Sequence, residues 1–409
     1  MTINNKVLKI TAPLISDSFD QEIHETYEDF GGVCLKKITG EFWTSRQRQA
    51  STLQEISYRA CFKPQLPNYF IQKYTKEGDV VYDPFAGRGT TVIEAALLGR
   101  RVIQNDINPI STILSAGRLP VPTLLQVEER LTSINFDKEL ESKIDLSMFY
   151  EKKTLNEILH LQKYFAERLK AQSFDTVDAW IRMVATNRLT GHSPGFFSVY
   201  TLPPNQAVSA DRQMKINQKM GQIPPYRDTK RIILKKSKQL LSGLTKLHIE
   251  NLHHAFKSSL FLNKPANDTS EIPSNSVSLV VTSPPFLDIV QYRDDNWLRC
   301  WFNGIDTEDI GKKITMAKTV EGWSEQMKKV LQELQRVLKP GGVIAFEVGE
   351  VRNGTVRLDE SIAPLGQQVG LKCDHVMINT QVFTKTSNIW GVGNNKVGTN
   401  SNRIVVFRK

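Results

Sequence analysis

Two short runs hold the residues whose types and spacing could do chemistry: DPFAGRGTT at 83–91 and TSPPF at 282–286. Each directly follows a strand-like apolar run, DVVYD before the first and SVSLVVT before the second. In the first run, Gly87 and Gly89 fall in the turn between a predicted buried strand ending at Asp83 and a predicted helix from Thr90 to Gly99. Glycine there admits positive φ and lets the backbone approach a ligand with no Cβ in between. A nicotinamide fingerprint asks for Gly or Ala at position 92, where this chain has Val92, so a pyrophosphate is disfavoured. S-adenosylmethionine, a nucleoside without phosphate, fits. Its amino group is expected at Asp83 and its carboxylate on the free amides from Phe85 to Thr90 at the helix N-terminus, with Pro84 and Thr91 completing the loop. RVIQND then reads as a second strand with Asp106 at its tip, where doubly wound folds set a carboxylate against ribose hydroxyls.

The second run starts at the end of a β-branched stretch suited to a central parallel strand, and such strands present ligand loops at their carboxyl ends. Pro284 and Pro285 fix φ twice and remove two amide donors, which leaves a rigid turn of carbonyls and hydroxyls facing outward as acceptors. An exocyclic amine offers two N–H donors. Ser283 Oγ and the Pro284 carbonyl can accept them, drawing the nitrogen out of conjugation so that its lone pair attacks a sulfonium methyl in line. Phe286 can stack on the base, a contact worth about 1–3 kcal/mol.

Taken together the two loops resemble those of the DNA amino-methyltransferases, which modify cytosine N4 or adenine N6. The resemblance implies that DPFAGRGTT is the cofactor motif and TSPPF the catalytic motif. Thr282 and Ser283 favour cytosine, because family members with Ser-Pro-Pro are mostly cytosine-N4 enzymes and those with Asp-Pro-Pro-Tyr mostly adenine-N6 enzymes. Phe286 departs from the usual Tyr, so stacking survives and a phenol hydrogen bond is lost. Residues 58–75 are similar to the family's motif that closes over the methionine end, which points to Phe62, Lys63 and Pro64, and NDTSEIP at 267–273 to an acidic turn at adenine, which points to Asp268. The motif order places a target-recognition region in the long segment between the loops. Double-stranded DNA is then the partner, with a companion restriction endonuclease possible on another chain.

These loops need a sheet to hold them. EGWSEQMKKVLQELQRVLKPGGVIAFEVG reads as an amphipathic helix with Trp323, Met327, Val330, Leu331, Leu334 and Leu338 on one face, then a Pro-Gly-Gly turn and a buried strand. LKCDHVMINTQVF and RIVVFRK supply two more strands, the last expected antiparallel in a terminal hairpin. The expected fold is α/β: a class I S-adenosylmethionine-dependent methyltransferase, Rossmann-like, with a mostly parallel seven-stranded sheet and a largely helical inserted target-recognition region. Residues 1–50 read as an arm of unassigned role containing Glu41, Trp43, Arg46 and Arg48, 51–116 as the first half of the methyltransferase domain, 117–265 as the insertion, and 266–409 as the second half.

Within the insertion, 186–206 is a loop of Gly, Pro, Ser and aromatics, including His192, Phe196, Phe197 and Tyr200. A basic stretch follows with Arg227, Lys230, Arg231, Lys235, Lys236 and Lys238. Cations beside aromatics suit DNA, and a solvated helix face over packed rings is the bland alternative. Asp294, Asp295, Asn296 and Trp297 could shape a base pocket, or cap the site with Trp297, Leu298 and Trp301 buried.

The net charge of +10 over 409 residues suits a polyanionic partner. Cys34, Cys61, Cys300 and Cys373 lie far apart, so neither a zinc ribbon nor a disulfide framework is indicated, and none follows a proline as in carbon-5 methylation of cytosine. No metal site, signal peptide, membrane-length apolar span or repeat is evident, and a cytoplasmic, nucleoid-associated protein is expected. The sequence therefore predicts methyl transfer to cytosine N4 of flipped bases in duplex DNA. Adenine N6, an RNA amine and a catalytically silent DNA-binding scaffold are the alternatives.

Overall fold

The computed structural model describes residues 6–8, 23–43, 50–59, 61–202, 207–286, 292–313, 317, 319–351, 355–380 and 401–409. Its strands are β1 (Lys6–Leu8), β2 (Ile23–Asp29), β3 (Cys34–Gly40), β4 (Val80–Asp83), β5 (Arg101–Asn105), β6 (Leu260–Leu262), β7 (Val277–Thr282), β8 (Leu338–Val348), β9 (Glu350–Val351), β10 (Val356–Arg357), β11 (Lys372–Thr380) and β12 (Ser401–Arg408). All but β9 and β10 form a single sheet in the order β1-β2-β3-β11-β12-β8-β7-β4-β5-β6.

The stretch from β6 to β11 contains the seven strands expected of a class I methyltransferase. Its pairs β6–β5, β5–β4, β4–β7 and β7–β8 are parallel, and β12 runs antiparallel to both β8 and β11. The sheet is wider than the expected seven strands. Residues 23–40, read from sequence as part of an arm, fold into the β2–β3 hairpin, and β3 continues the sheet in parallel beside β11. Their pattern was not legible because both faces stay wet: β2 is half-buried or exposed throughout, and cross-strand pairs such as Lys36–Glu25 at 2.7 Å replace apolar contacts.

Strand alternation divides the core into two faces. Val81, Leu279, Val281, Val343 and Ala345 face one cluster, and Tyr82, Val280, Ile344 and Phe346 the other. Every residue of β7 is buried, as befits a strand covered on both sides. The first face is covered by α1 (Gln65–Tyr74), α2 (Thr90–Leu97) and α3 (Pro109–Ala116), followed by α4 (Leu124–Ser133), α5 (Lys152–Lys170), α6 (Thr176–Arg188), α7 (Ala210–Met220), α8 (Thr229–Leu241) and α9 (Lys246–Lys257). An ion-pair cluster ties this helical body together. Fully buried Asp178 of α6 takes Arg168 Nε of α5 at 2.8 Å and also Arg130 of α4, two cations offsetting the desolvation of one carboxylate. Within the segment 117–265, α9 packs on α2 and β5, and β6 belongs to the sheet.

After β7 come α10 (Tyr292–Asp295), α11 (Trp297–Asn303), α12 (Thr307–Lys313), α13 (Val320–Val337) and α14 (Leu358–Gln368). On α13, Trp323, Met327, Val330, Leu331 and Leu334 form the predicted buried stripe, completed by Val337. Leu338, assigned to that stripe from sequence, instead opens β8. The Pro-Gly-Gly stretch is part of the strand rather than a turn: the Gly341 amide donates to the Lys409 carbonyl at 2.9 Å, and the Lys409 amide to Gly342 at 3.1 Å.

Candidate active site

Because β4 and β7 are parallel neighbours, with Val81 opposite Leu279 and Tyr82 opposite Val280, the loops leaving them open on the same edge of the sheet. The Thr282 hydroxyl donates to Asp83 Oδ1 at 2.7 Å, and Thr91 Oγ1 to the Val281 carbonyl at 3.1 Å. A cavity of about 420 Å³ lies over this edge. Pro84, Phe85, Gly87 and Asp106 line it from one loop and strand tip, and Ser283, Pro285 and Phe286 from the other. Trp323 and Met327 of α13 and the segment from Lys264 to Asn267 close it further. Trp323 Nε1 donates to the Pro285 carbonyl at 2.9 Å, anchoring the Pro-Pro turn to α13.

The two glycines do the work expected of them. Gly87 and Gly89 have φ of +53° and +77°. A Cβ on Gly89 would stand 2.4 Å from Ser115 Cβ, and one on Gly87 would touch the Tyr58 ring at 3.4 Å. Asp106 accepts the Gly87 amide at 2.8 Å and the Asn108 amide at 2.9 Å, and burial raises its carboxyl to about 6.

Three expectations change. Asp83 is 1% exposed and does not line the cavity. It receives the Thr282 hydroxyl and the Phe85 amide, and burial lifts its pKa to about 7 against those donors. It ties the two loops together. The Phe85, Ala86, Gly87 and Gly89 amides are not free for a carboxylate, being bonded to Asp83, Asn105 O, Asp106 and Ala86 O. Thr90 and Thr91 likewise serve the fold: Thr90 Oγ1 accepts from Arg88 Nε at 3.0 Å, and its carbonyl from Gln54.

Asp268 is exposed and outside the cavity wall, which its neighbour Asn267 joins. Pro284 and Thr282 are buried behind the turn. Phe62 and Lys63 are not in this cavity. With Trp43, Cys61, Leu66 and Asn402 they line a second one of about 170 Å³, while Tyr58, from the same segment, lines the first.

Sequence reading missed Glu347, whose signal was an acidic residue inside the buried strand VIAFEV. Glu347 is 6% exposed on β8 beside Ser283. It accepts hydrogen bonds from Ser283 and Asn402, and burial holds its pKa above the ordinary carboxylate value despite them. The row continues across the sheet: Asn379 donates to Asn402 at 3.5 Å and accepts the Phe42 and Trp43 amides at 2.7 and 3.1 Å. Asn105 was missed as well. Its side chain joins the Pro84 carbonyl at 3.3 Å and both the carbonyl and amide of Lys264 at 2.9 and 3.0 Å, setting the Lys264–Asn267 wall of the cavity against the loop after β4.

The basic stretch is divided in use. Arg231 and Lys235 are exposed. Lys236 is 7% exposed beside Gln239, and Lys230 donates to the Ile134 carbonyl at 2.6 Å. Arg227 is half-buried. Phe196 and Phe197 are buried under their loop, so neither can enter a duplex in this conformation, whereas His192 is exposed. Asp295 pairs with Arg59 at 2.8 Å, Asn296 with Arg299 at 2.9 Å, and neither lines a cavity described above. Arg46 and Arg48 lie outside the described residues. No helix among the described residues is long and apolar enough to cross a membrane.

Strand order and site position together define a class I methyltransferase. A model of the DNA methylase family, the N6 and N4 methylases, matches residues 15–112 and 277–409, over half of the chain, and the chain belongs to that family. The family's cofactor is S-adenosylmethionine. Among curated relatives, the chain is 28% identical to the type II methyltransferase M.MjaII of Methanocaldococcus jannaschii over 116 residues, 28% of this chain and 22% of that one. It is 42% identical to the orphan methyltransferase M.BamHII of Bacillus amyloliquefaciens over 62 residues, 15% and 23% of the two chains. It is also 32% identical to the tRNA (guanine(10)-N2)-dimethyltransferase of M. jannaschii over 115 residues, 27% and 29%. The matched stretches thus span between a fifth and a third of these relatives.

Proposed function

We propose that this protein transfers a methyl group from S-adenosylmethionine to the exocyclic N4 amine of a cytosine flipped out of duplex DNA. The observation that carries this reading is the single cavity of about 420 Å³ lined from both sides, by Phe85, Gly87 and Asp106 and by Ser283 and Phe286. The fit to the cofactor rests on Asp106, a half-buried carboxylate just past the end of β5 on the cavity wall, and on an apolar wall for an adenine ring. When bound, the cofactor supplies an electrophilic methyl on a sulfonium sulfur.

The residues of this chain do the rest. Ser283 donates its proton to Glu347, which turns its lone pairs toward an incoming N–H. The Pro284 carbonyl is the second acceptor. With both N–H bonds engaged, the amine lone pair would be left free to take up the methyl that the bound cofactor supplies. The nitrogen then loses a proton to Ser283 as the Ser283 proton passes to Glu347, whose burial-raised pKa suits it to hold one. Flipping costs a few kcal/mol, which stacking and the two amine bonds offset. The helical body from α4 to α8 is the target-recognition region of this reading, with Arg231 and Lys235 on its exposed face.

A second reading, an RNA amine as acceptor, draws on the likeness to a tRNA dimethyltransferase. One experiment separates the two: incubation with methyl-labelled S-adenosylmethionine and either mixed-sequence duplex DNA or folded RNA, then nucleoside analysis. Label in N4-methyldeoxycytidine is expected. Label on adenine N6 moves the target within the family, and label confined to RNA overturns the substrate.

A further inference from the structure

We propose that Asn187 and Arg299 are positioning residues for the cofactor: they share the Ser57 carbonyl, and through it they fix the Tyr58 ring that walls the first cavity. This rests on the reading of that cavity as the seat of S-adenosylmethionine and needs no choice of methyl acceptor. Residues 55–58 have no regular secondary structure, yet Ile56 is 3% and Tyr58 5% exposed. Buried irregular backbone must find its hydrogen bonds among side chains.

The carbonyls of this strap find them at two places. On the cofactor side, Arg88 Nη1 donates to Gln54 at 3.2 Å and to Ile56 at 3.1 Å, and Arg118 Nη1 to Leu53 at 2.8 Å. Arg88 lies between the two glycines of the loop after β4, and Arg118 also donates to the Arg88 carbonyl, so these bonds dock the strap on that loop. The Ser57 carbonyl is held from elsewhere, by Asn187 Nδ2 of α6 at 2.9 Å and Arg299 Nη2 of α11 at 3.0 Å. α11 is keyed in turn to the helical body. Arg182 Nε of α6 donates to Asn303 Oδ1 at 2.7 Å, and Gln162 Nε2 of α5 to the Trp301 carbonyl at 2.7 Å.

Tyr58 is the next residue. Its ring lines the first cavity and lies 3.4 Å from where a Cβ on Gly87 would stand. Arg299 grips it twice, because the guanidinium that bonds the preceding carbonyl also lies over the ring, 5.6 Å from its centroid. Holding a guanidinium at 5% exposure costs desolvation. In return, the helical body and the loop after β4 jointly set one wall of the cavity. A shift of α6 or α11 reaches that wall through a single carbonyl, which makes the coupling a matter of named bonds rather than of proximity.

The test is a double-mutant cycle on the full chain, read by calorimetric binding of S-adenosylmethionine. Arg299→Met keeps the stem and removes the donors, and it should weaken binding about tenfold. Tyr58→Ala should weaken it comparably, and the two together should cost little more than either alone. Asn187→Ala leaves Arg299 on the carbonyl, so its loss should be smaller and should also vanish in the Tyr58→Ala background. This variant carries the cycle if Arg299→Met does not fold. Additive losses, or unchanged affinity in the single variants, overturn the assignment. Fluorine resonance of 3-fluorotyrosine, with position 58 identified by loss of its line in Tyr58→Phe, reads the ring directly. The line should move when the parent binds S-adenosylmethionine and should differ in Asn187→Ala; no response to either counts against the strap. Intact coupling in a chain that methylates no nucleic acid would leave the strap standing and sink the proposed reaction instead.

Discussion

The chemistry proposed here turns on the Ser283–Glu347 pair. Ser283→Ala removes the amine acceptor and the path to the carboxylate, so transfer should fall about 10²-fold or more with cofactor affinity unchanged, as read by single-turnover kinetics and calorimetry. Glu347→Gln keeps a hydrogen-bonding partner for Ser283 but takes up no proton, so it should lower turnover and erase the acid limb of the parent's pH–rate profile. A second prediction concerns Asp106, raised to about 6 by burial. Because its folded pKa lies above the unfolded value, its contribution to stability is fully present below the unfolded carboxylate range and is lost as pH rises through about 6. Ribose hydroxyls favour its charged form, so cofactor affinity should strengthen over that same interval. Asp106→Asn should flatten both trends, checked by thermal unfolding with and without S-adenosylmethionine from acid to neutral pH. At this scale the placement of Asp106 and Ser283 on the cavity was legible, because each sits at a strand tip beside a recognisable turn. Glu347 stayed hidden, since its meaning depends on β8 lying next to β7, and the burial of Asp83 against Thr282 was not legible because nothing in DPFAGRGTT tells whether the carboxylate faces the cavity or the neighbouring strand.

Elements matter here by fixing how closely the loops approach each other. α2 begins directly at Gly89, whose left-handed backbone and contact with Ser115 leave no room for a side chain. Gly89→Ala should cost about 1–3 kcal/mol in chemical unfolding and weaken cofactor binding together with stability, in contrast to Ser283→Ala. β4, α2, β5, β7 and α13 were legible, as short buried apolar runs, a strand-to-helix turn and a clean helical stripe. The β2–β3 hairpin was not, because charged pairs on both faces mask its alternation, and Leu338 was placed on the helix because helical spacing continues one residue past the true end of α13.

For the whole molecule, the surplus of ten positive charges favours a polyanion without choosing one. In the proposed reading Arg231 and Lys235, exposed on α8, are the cations that would contact phosphates. Replacing both with Ala should reduce the log–log salt slope of DNA binding by about 1.8, at about 0.9 per phosphate. Lys236→Ala should leave that slope alone and lower stability, because the ammonium is packed beside Gln239 and burial has pushed its pKa down to about 8. The helical body between β5 and β6 was visible as an insertion, but which of its cations are free depended on how α4, α5 and α8 pack. The most direct test of the central claim is base-resolution mapping of modified bases in DNA from cells expressing the parent chain or Ser283→Ala. N4-methylcytosine in a defined sequence context with the parent, and none with the variant, is the predicted result. A mark that survives the substitution, or 5-methylcytosine alone, would contradict it.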